Sequence, residues 1–284
     1  MLNRQRYNAD PQIVAFADMQ EAPISATVTN KYVSADKDGR KSVPAGLFIA
    51  RRSGSMELSF LPRATVTQAS STSSPTLKLN LLAPFVEGDV LYAVEPYAAI
   101  TISSVANGQT IILTVNGKQL SITATTNVVA DAVNALATTI PSSVIGQYVT
   151  AVPATTAGKV YLYSRTKEEY PLTVAGTATT AIDGGVTKLT TQTTPLGTIA
   201  SINPTTNTVT LTGNANWVAP VGAHIGVSVE DILGLHVHSH DFSTTPSKHI
   251  NGITGAIGIY EAALPYLDDE IKERFPKMVF RARF

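Results

Sequence analysis

Imidazole is the side chain that titrates nearest neutrality and the commonest nitrogen ligand for metals. Three of the five histidines in this chain of 284 residues stand at alternate positions, in Leu233-Gly-Leu-His-Val-His-Ser-His-Asp-Phe242. Read as a strand, the stretch places His236, His238 and His240 on one face and Leu235, Val237, Ser239 and Asp241 on the other, because successive side chains alternate across a pleated backbone. Zinc takes imidazole nitrogens and its catalytic sites often use three protein ligands, so these histidines are the candidate metal ligands of the chain. The spacing argues against an ion. Side chains two apart on a strand stand roughly 6.5 to 7 Å from each other, wide for ligands of one small ion, and no carboxylate shares the face. The expectation is no metal and no cofactor. Ser239, His240 and Asp241 contain the residue types of a hydrolase triad, yet consecutive residues on a strand point to opposite faces.

The elements around the histidines must position them. A polar, turn-rich loop is expected over residues 241–251, then a glycine-spaced strand over 252–261. A helix is expected from Leu264 to Pro276, with Pro265 in its first turn. Asp268, Asp269 and Glu270 lie toward its positive end, Lys272 and Arg274 toward its negative end, and Leu264, Leu267, Ile271 and Phe275 form its buried stripe. The last residues alternate Phe280, Ala282 and Phe284 against Val279, Arg281 and Arg283, which reads as a terminal strand.

Composition narrows the function classes. The chain of 284 residues is 44% hydrophobic and 15% charged, which is enough for a well-buried core and predicts two domains. Its 21 basic and 21 acidic side chains cancel, so no global field draws it to nucleic acid or to an anionic membrane. Cysteine is absent, which removes disulfides, thiolate metal sites and cysteine nucleophiles together. No apolar run follows Arg4 and Arg6, so no secretory signal is expected, and no window reaches the ~20 apolar residues of a membrane span.

In chain order, residues 1–23 read as an arm with scattered large apolar groups, Ile13, Val14, Phe16 and Met19. Such an arm either covers its own domain or orders on a neighbouring subunit. Strands are expected over 24–29, 31–34 and 43–50, with an Asp-Gly turn between the last two. Residues 64–76 are rich in serine and threonine and read as a flexible loop, whereas 77–82 and 85–94 read as strands, the second opening on the turn Gly88-Asp89.

From Ala99 to Val221 only nine side chains are charged and threonine dominates the polar positions, which marks a separate module over 99–192. Its order is two strands, an Asn116-Gly117 hairpin, a third strand, a helix and two more strands. The helix is expected from Val128 to Ile140, capped by Asn127 and stopped by Pro141, with Val129, Ala132, Val133, Leu136 and Ile140 on one stripe. A second hairpin flanks Pro204-Thr-Thr206, and Trp217 reads as a core anchor.

The polar loop, glycine-spaced strand and closing helix of the C-terminal part resemble the end of tailed-phage head decoration proteins. Val43-Pro-Ala-Gly-Leu-Phe-Ile-Ala50 and the turn Gly88-Asp89-Val90-Leu91 add to that resemblance, and the module over 99–192 looks like small α+β insertions common in phage head and tail proteins. The resemblance implies a mainly β fold, a small β-barrel or β-tulip-like decoration domain made of 24–98 plus 193–284, with 193–221 assignable to either part, and an inserted α+β module. It implies a cement protein without enzymatic activity that binds the major capsid protein on the capsid exterior, after assembly in the host cytoplasm, as a homotrimer. Arg4, Arg6, Ile13, Val14, Phe16 and Met19 are the expected capsid or subunit contacts. A virion-surface adhesin that binds host glycans through the insert, and a metal-dependent enzyme, are the alternatives.

Overall fold

The computed structural model describes residues 14–17, 24–153, 158–191, 193–254 and 257–281. The chain is mainly β. Its first part contains β1 (Val14–Ala17), β2 (Ile24–Thr29), β3 (Ser42–Val43), β4 (Leu47–Arg52), β5 (Leu58–Phe60), β6 (Arg63–Gln68), β7 (Thr76–Leu79) and β8 (Val90–Ala93). The middle part contains β9 (Tyr97–Ser104), β10 (Thr110–Val115), β11 (Lys118–Thr123), α1 (Val129–Thr139), β12 (Val149–Pro153), β13 (Lys159–Ser164), β14 (Leu172–Gly176) and β15 (Thr179–Ile182). The chain then returns through β16 (Gly197–Asn203), β17 (Thr208–Leu211), β18 (His224–Gly226), β19 (Val229–His236), β20 (His240–Asp241), β21 (Ser247–Gly252), β22 (Ile257–Tyr260), α2 (Asp269–Arg274) and β23 (Met278–Arg281).

Six strands pair in a ring, β16-β17-β7-β6-β18-β8, whose last member pairs with its first. Ala64, Val66, Leu77, Leu79, Leu91, Ile199, Val209 and Ile225 fill its interior. Closure removes the open edges that would otherwise expose backbone donors and acceptors. Beside the ring lies a five-stranded sheet, β19-β4-β5-β2-β21. Its strand β4 is apolar on both faces: Leu47 and Ile49 join the core shared with the barrel, whereas Phe48 and Ala50 join a second core with Leu235, Ile271 and Phe275. The rings of Phe48 and Phe275 stack at 5.5 Å, which fixes the end of α2 on this sheet. A strand buried on both sides reads as a continuous apolar run, and Leu-Phe-Ile-Ala is one.

The middle part has its own core, drawn from residues between Ala98 and Leu189. Two sheets, β12-β13-β9-β15 and β11-β10-β14, enclose it with α1. Asn116 and Gly117 both take positive φ, 49° and 71°, as the two central residues of a tight hairpin turn require. The second expected hairpin is the β16–β17 pair. Tyr161 and Tyr163, on the outer face of β13, pack instead toward the barrel, where Tyr97 lies 5.6 Å from both Tyr163 and Trp217. Trp217 is 9% exposed and donates its indole N–H to the Thr194 carbonyl at 3.1 Å.

Several local expectations change. Residues 30–32 form a 3-10 turn rather than a strand, because the Thr29 hydroxyl accepts from the Lys31 amide and caps it. Residues 63–68 are a barrel strand, since Ala64 and Val66 point inward while β-branched threonines suit the pleat. Within the expected loop 241–251, residues from Ser247 pair with β2 over its whole length. The cap of α1 is Val128; Asn127 instead accepts from the Asn107 amide at 2.7 Å. Pro265 lies outside α2, which begins after Asp268, whose carboxylate accepts from the Ile271 amide. The terminal strand buries Met278 and partly Phe280, with Val279 exposed on the other side; 282–284 lie outside the described residues.

Joining Ala98 to Thr193 through a short Gly-Ser linker should leave a soluble, folded remainder. Emission from Trp217 should shift to the red, because Tyr97 beneath it loses Tyr161 and Tyr163. Loss of far-ultraviolet β signal in that variant would show that the barrel cannot stand without the insert.

Candidate functional site

The histidine stretch is not one strand. β19 ends at His236, three residues form a bend, and His240 begins the two-residue β20 that pairs with β3. A register shift between Ile232 and Gly234 precedes the break, where Gly234 lies close against Gly252 and the Ile253 carbonyl. His236 is buried at 1% exposure beside Phe60, its neighbours Leu235 and Val237 fill the second core, and His238 and His240 are half-buried. The three rings still gather, with centroids 6.4 Å apart for His236 and His238 and 4.8 Å for His236 and His240.

Their orientation decides the chemistry. His236 and His240 are stacked with only 21° between planes, so the in-plane nitrogen lone pairs run side by side and do not converge on one point. Among the described residues, no group of three or more histidine or acidic side chains is arranged to hold an ion. Burial lowers the pKa of His240 below the usual 6.5, aided by the charges of Lys248 and His238. Its contribution to stability is therefore complete above that value and lost as pH falls through the lowered one.

A second polar cluster lies where barrel, insert and C-terminal segment meet. Arg63 of β6 is 6% exposed and donates to Asp268 at 2.9 Å and to Glu270 at 2.6 Å. Asp268 also accepts from the Tyr266 hydroxyl at 2.8 Å while capping α2. Glu270 additionally takes Lys167 of the insert, and Asp269 takes Arg165 at 3.2 Å. Three consecutive acids thus hold cations from two different parts of the fold. Burial raises the pKa of Glu270, but Arg63 and Lys167 outweigh it and leave the carboxyl below its usual range.

Adjacent to this clamp, His224 donates from Nδ1 to the buried Glu95 at 2.7 Å, and its ring meets Tyr266 edge-on at 5.1 Å. Burial disfavours the charged imidazole, yet the hydrogen bond and charge of Glu95, with Asp268, raise its pKa overall. These groups border a cleft of about 240 Å³ between insert and barrel. Tyr163 and Ser164 also line it, and both carry buried hydroxyls without a hydrogen-bond partner. Burial holds the Tyr163 hydroxyl well above its usual pKa, so it remains a donor at neutral pH.

No protein-family model and no curated protein matches this chain.

Of the contact residues expected on the arm, Arg4, Arg6, Ile13 and Met19 lie outside the described residues. Val14 and Phe16 fall on β1, whose backbone pairs with β22 of the same chain. The insert tyrosines do not form an exposed platform: Tyr161, Tyr163 and Tyr170 are buried and Tyr148 is half-buried against Tyr170. Sequence reading missed Arg63, Glu95 and His224. It had marked the acids at 268–270, but as partners of the helix dipole.

Arg63→Met should cost about 3–5 kcal/mol in urea unfolding, because two carboxylates lose their buried cation. Lys167→Met, at a more exposed pair, should cost no more than about 1 kcal/mol. A strong chelator should leave the melting temperature unchanged; a fall reversed by zinc and abolished by His238→Ala would establish an ion at the histidines. Because the His224 pKa is raised, its stabilisation is complete below the usual 6.5 and is lost as pH rises through the folded value. His224→Gln should accordingly flatten the decline in melting temperature across that window.

Proposed function

We propose that this chain is a virion structural protein that binds the outer surface of a tailed-phage capsid and stabilises the shell, without catalysis. In this reading the ring of β6, β7, β8, β16, β17 and β18 is the barrel of a lambda-type decoration domain. The chain assembles in the host cytoplasm, associates as a homotrimer and contacts the major capsid protein. The observation that carries the reading is a mainly β body from which a separately cored insert leaves and returns through neighbouring strands β8 and β16. Such a body can seat on a shell while the insert projects from it.

Three further observations support it. The Val43–Ala50 stretch, on which the resemblance partly rests, includes the doubly buried residues Leu47 to Ala50 of β4, between two cores of the body. The stacked rings of His236 and His240 do not aim their nitrogens at one point, which weighs against the metal-enzyme alternative. The adhesin alternative loses the aromatic platform that stacking on a glycan would use.

Purified protein mixed with decoration-free capsids should raise particle mass and heat resistance. Deleting residues 1–23 should lower occupancy on capsids, while the free protein loses only the edge strand β1 and melts within a few degrees of the full chain. Full decoration by the truncated protein would show that the arm does not clamp the shell, and no decoration by the intact protein would refute the capsid role.

A further inference from the structure

We propose that the free edge of the insert, strand β11, pairs antiparallel with β11 of a second copy of this chain, about a two-fold axis at Ser121. Among the described residues β11 pairs with β10 alone, in a register without a bulge. Native sheets guard such edges with proline, bulges or charges, or cover them with a helix. Here Lys-Gln-Leu-Ser-Ile-Thr carries one charge, Lys118, at its end, and α1 lies against β12, β9 and β13 of the other sheet. An edge in this state is a template for another strand.

The hairpin fixes which backbone groups are available. Its two-residue turn makes Val115 and Lys118 a bonded pair, and bonded pairs alternate along the ladder, so Lys118, Leu120 and Ile122 direct their amides and carbonyls to β10. The Ala124 amide, next in that series, donates to the Gln109 carbonyl at 2.8 Å. The backbone groups of Gln119, Ser121 and Thr123 point away from the sheet. With Ser121 opposite itself, Gln119 meets Thr123 of the second copy and roughly six backbone hydrogen bonds form.

The side chains fit this partner. Residues opposite one another in an antiparallel pair share a face, so the same register sets half-buried Leu120 beside Ile122 of the second copy, on the side of the insert's core. A shift of one residue would set core face against outer face. The outward side chains of Gln119, Ser121 and Thr123 are uncharged, and the two Lys118 side chains stand at opposite ends of the pair. A six-residue edge is small beside the ~800 Å² per partner of a stable complex, so the contact is weak in free solution and gains where other contacts hold copies side by side.

The pairing does not rest on the capsid reading, because the isolated chain contains the whole edge. The chain has no cysteine, so Ser121→Cys in the full-length protein gives a single thiol. Opposite itself in a bonded pair, that residue has its two Cα atoms about 5.5 Å apart, within disulfide reach. In a glutathione redox buffer Ser121→Cys should yield a disulfide-linked dimer, whereas Thr205→Cys, exposed in a different hairpin, should not. Sedimentation velocity at rising concentration should show a mass-doubling step, pairing whatever unit other surfaces form. Ser121→Pro should lose that step at an unchanged melting temperature, since proline removes an amide that the single chain leaves unbonded. Ser121→Glu and Ser121→Lys should each lose it too and regain it when mixed, which decides the matter if the proline variant melts lower. Equal disulfide yields from Ser121→Cys and Thr205→Cys would overturn the proposal, as would a parent without the doubling step, a step that Ser121→Pro leaves intact, or no rescue on mixing.

Discussion

A guanidinium buried between two carboxylates holds this fold in register. Arg63 sits on a barrel strand, and its partners are Asp268, which caps the short helix near the C-terminal end, and Glu270 in its first turn. A charge removed from water is tolerated only where opposite charge and hydrogen bonds replace its hydration. Asp268 is itself fixed by the Tyr266 hydroxyl and by its capping bond to Ile271, so the arginine meets an oriented acceptor. Glu270 then extends the network to Lys167 of the insert. Barrel, insert and C-terminal segment are joined at one point.

The apolar part of the fold is divided by β4. One side of this strand faces the core shared with the barrel and the other faces α2 and β19, so the sheet serves as a wall between two interiors. A comparable buried pair, Arg52 with Asp89, joins the end of β4 to the turn before β8, and the ring of Tyr32 covers the guanidinium at 4.3 Å. The barrel is therefore fixed to its neighbouring sheet by a desolvated ion pair as well as by packing.

Much of the local structure was legible in the sequence. The Asn116-Gly117 turn, the α1 stripe and the drop in charge density over the insert each follow from short-range chemistry, and all have counterparts in the strands and cores. Elements decided by distant partners were harder to read. Residues 63–68 form a strand only because β7 and β18 flank them, and 247–252 only because β2 needs a partner along its length. The spacing of the histidine row predicts one continuous strand, whereas β19 stops at His236 and β20 starts at His240, after a register shift where Gly234 lies close against Gly252. The junction acids were visible as a run. Their cations lie roughly a hundred or more residues away in sequence, and no local rule pairs them.

The pairing of β8 with β16 also bears on the order in which the chain can fold. Leu91 and Gly197 are opposite one another, so closing the barrel directly means closing a loop of roughly a hundred residues. Within the insert, however, Tyr97 and Thr190 bridge each other through paired backbone hydrogen bonds. Once that bridge has formed, the loop still to be closed is only about a dozen residues long, and the entropic cost of closure falls by about 2 kcal/mol. A folded insert thus acts as a staple: it holds the two barrel strands close together and leaves the ring only a short loop to close.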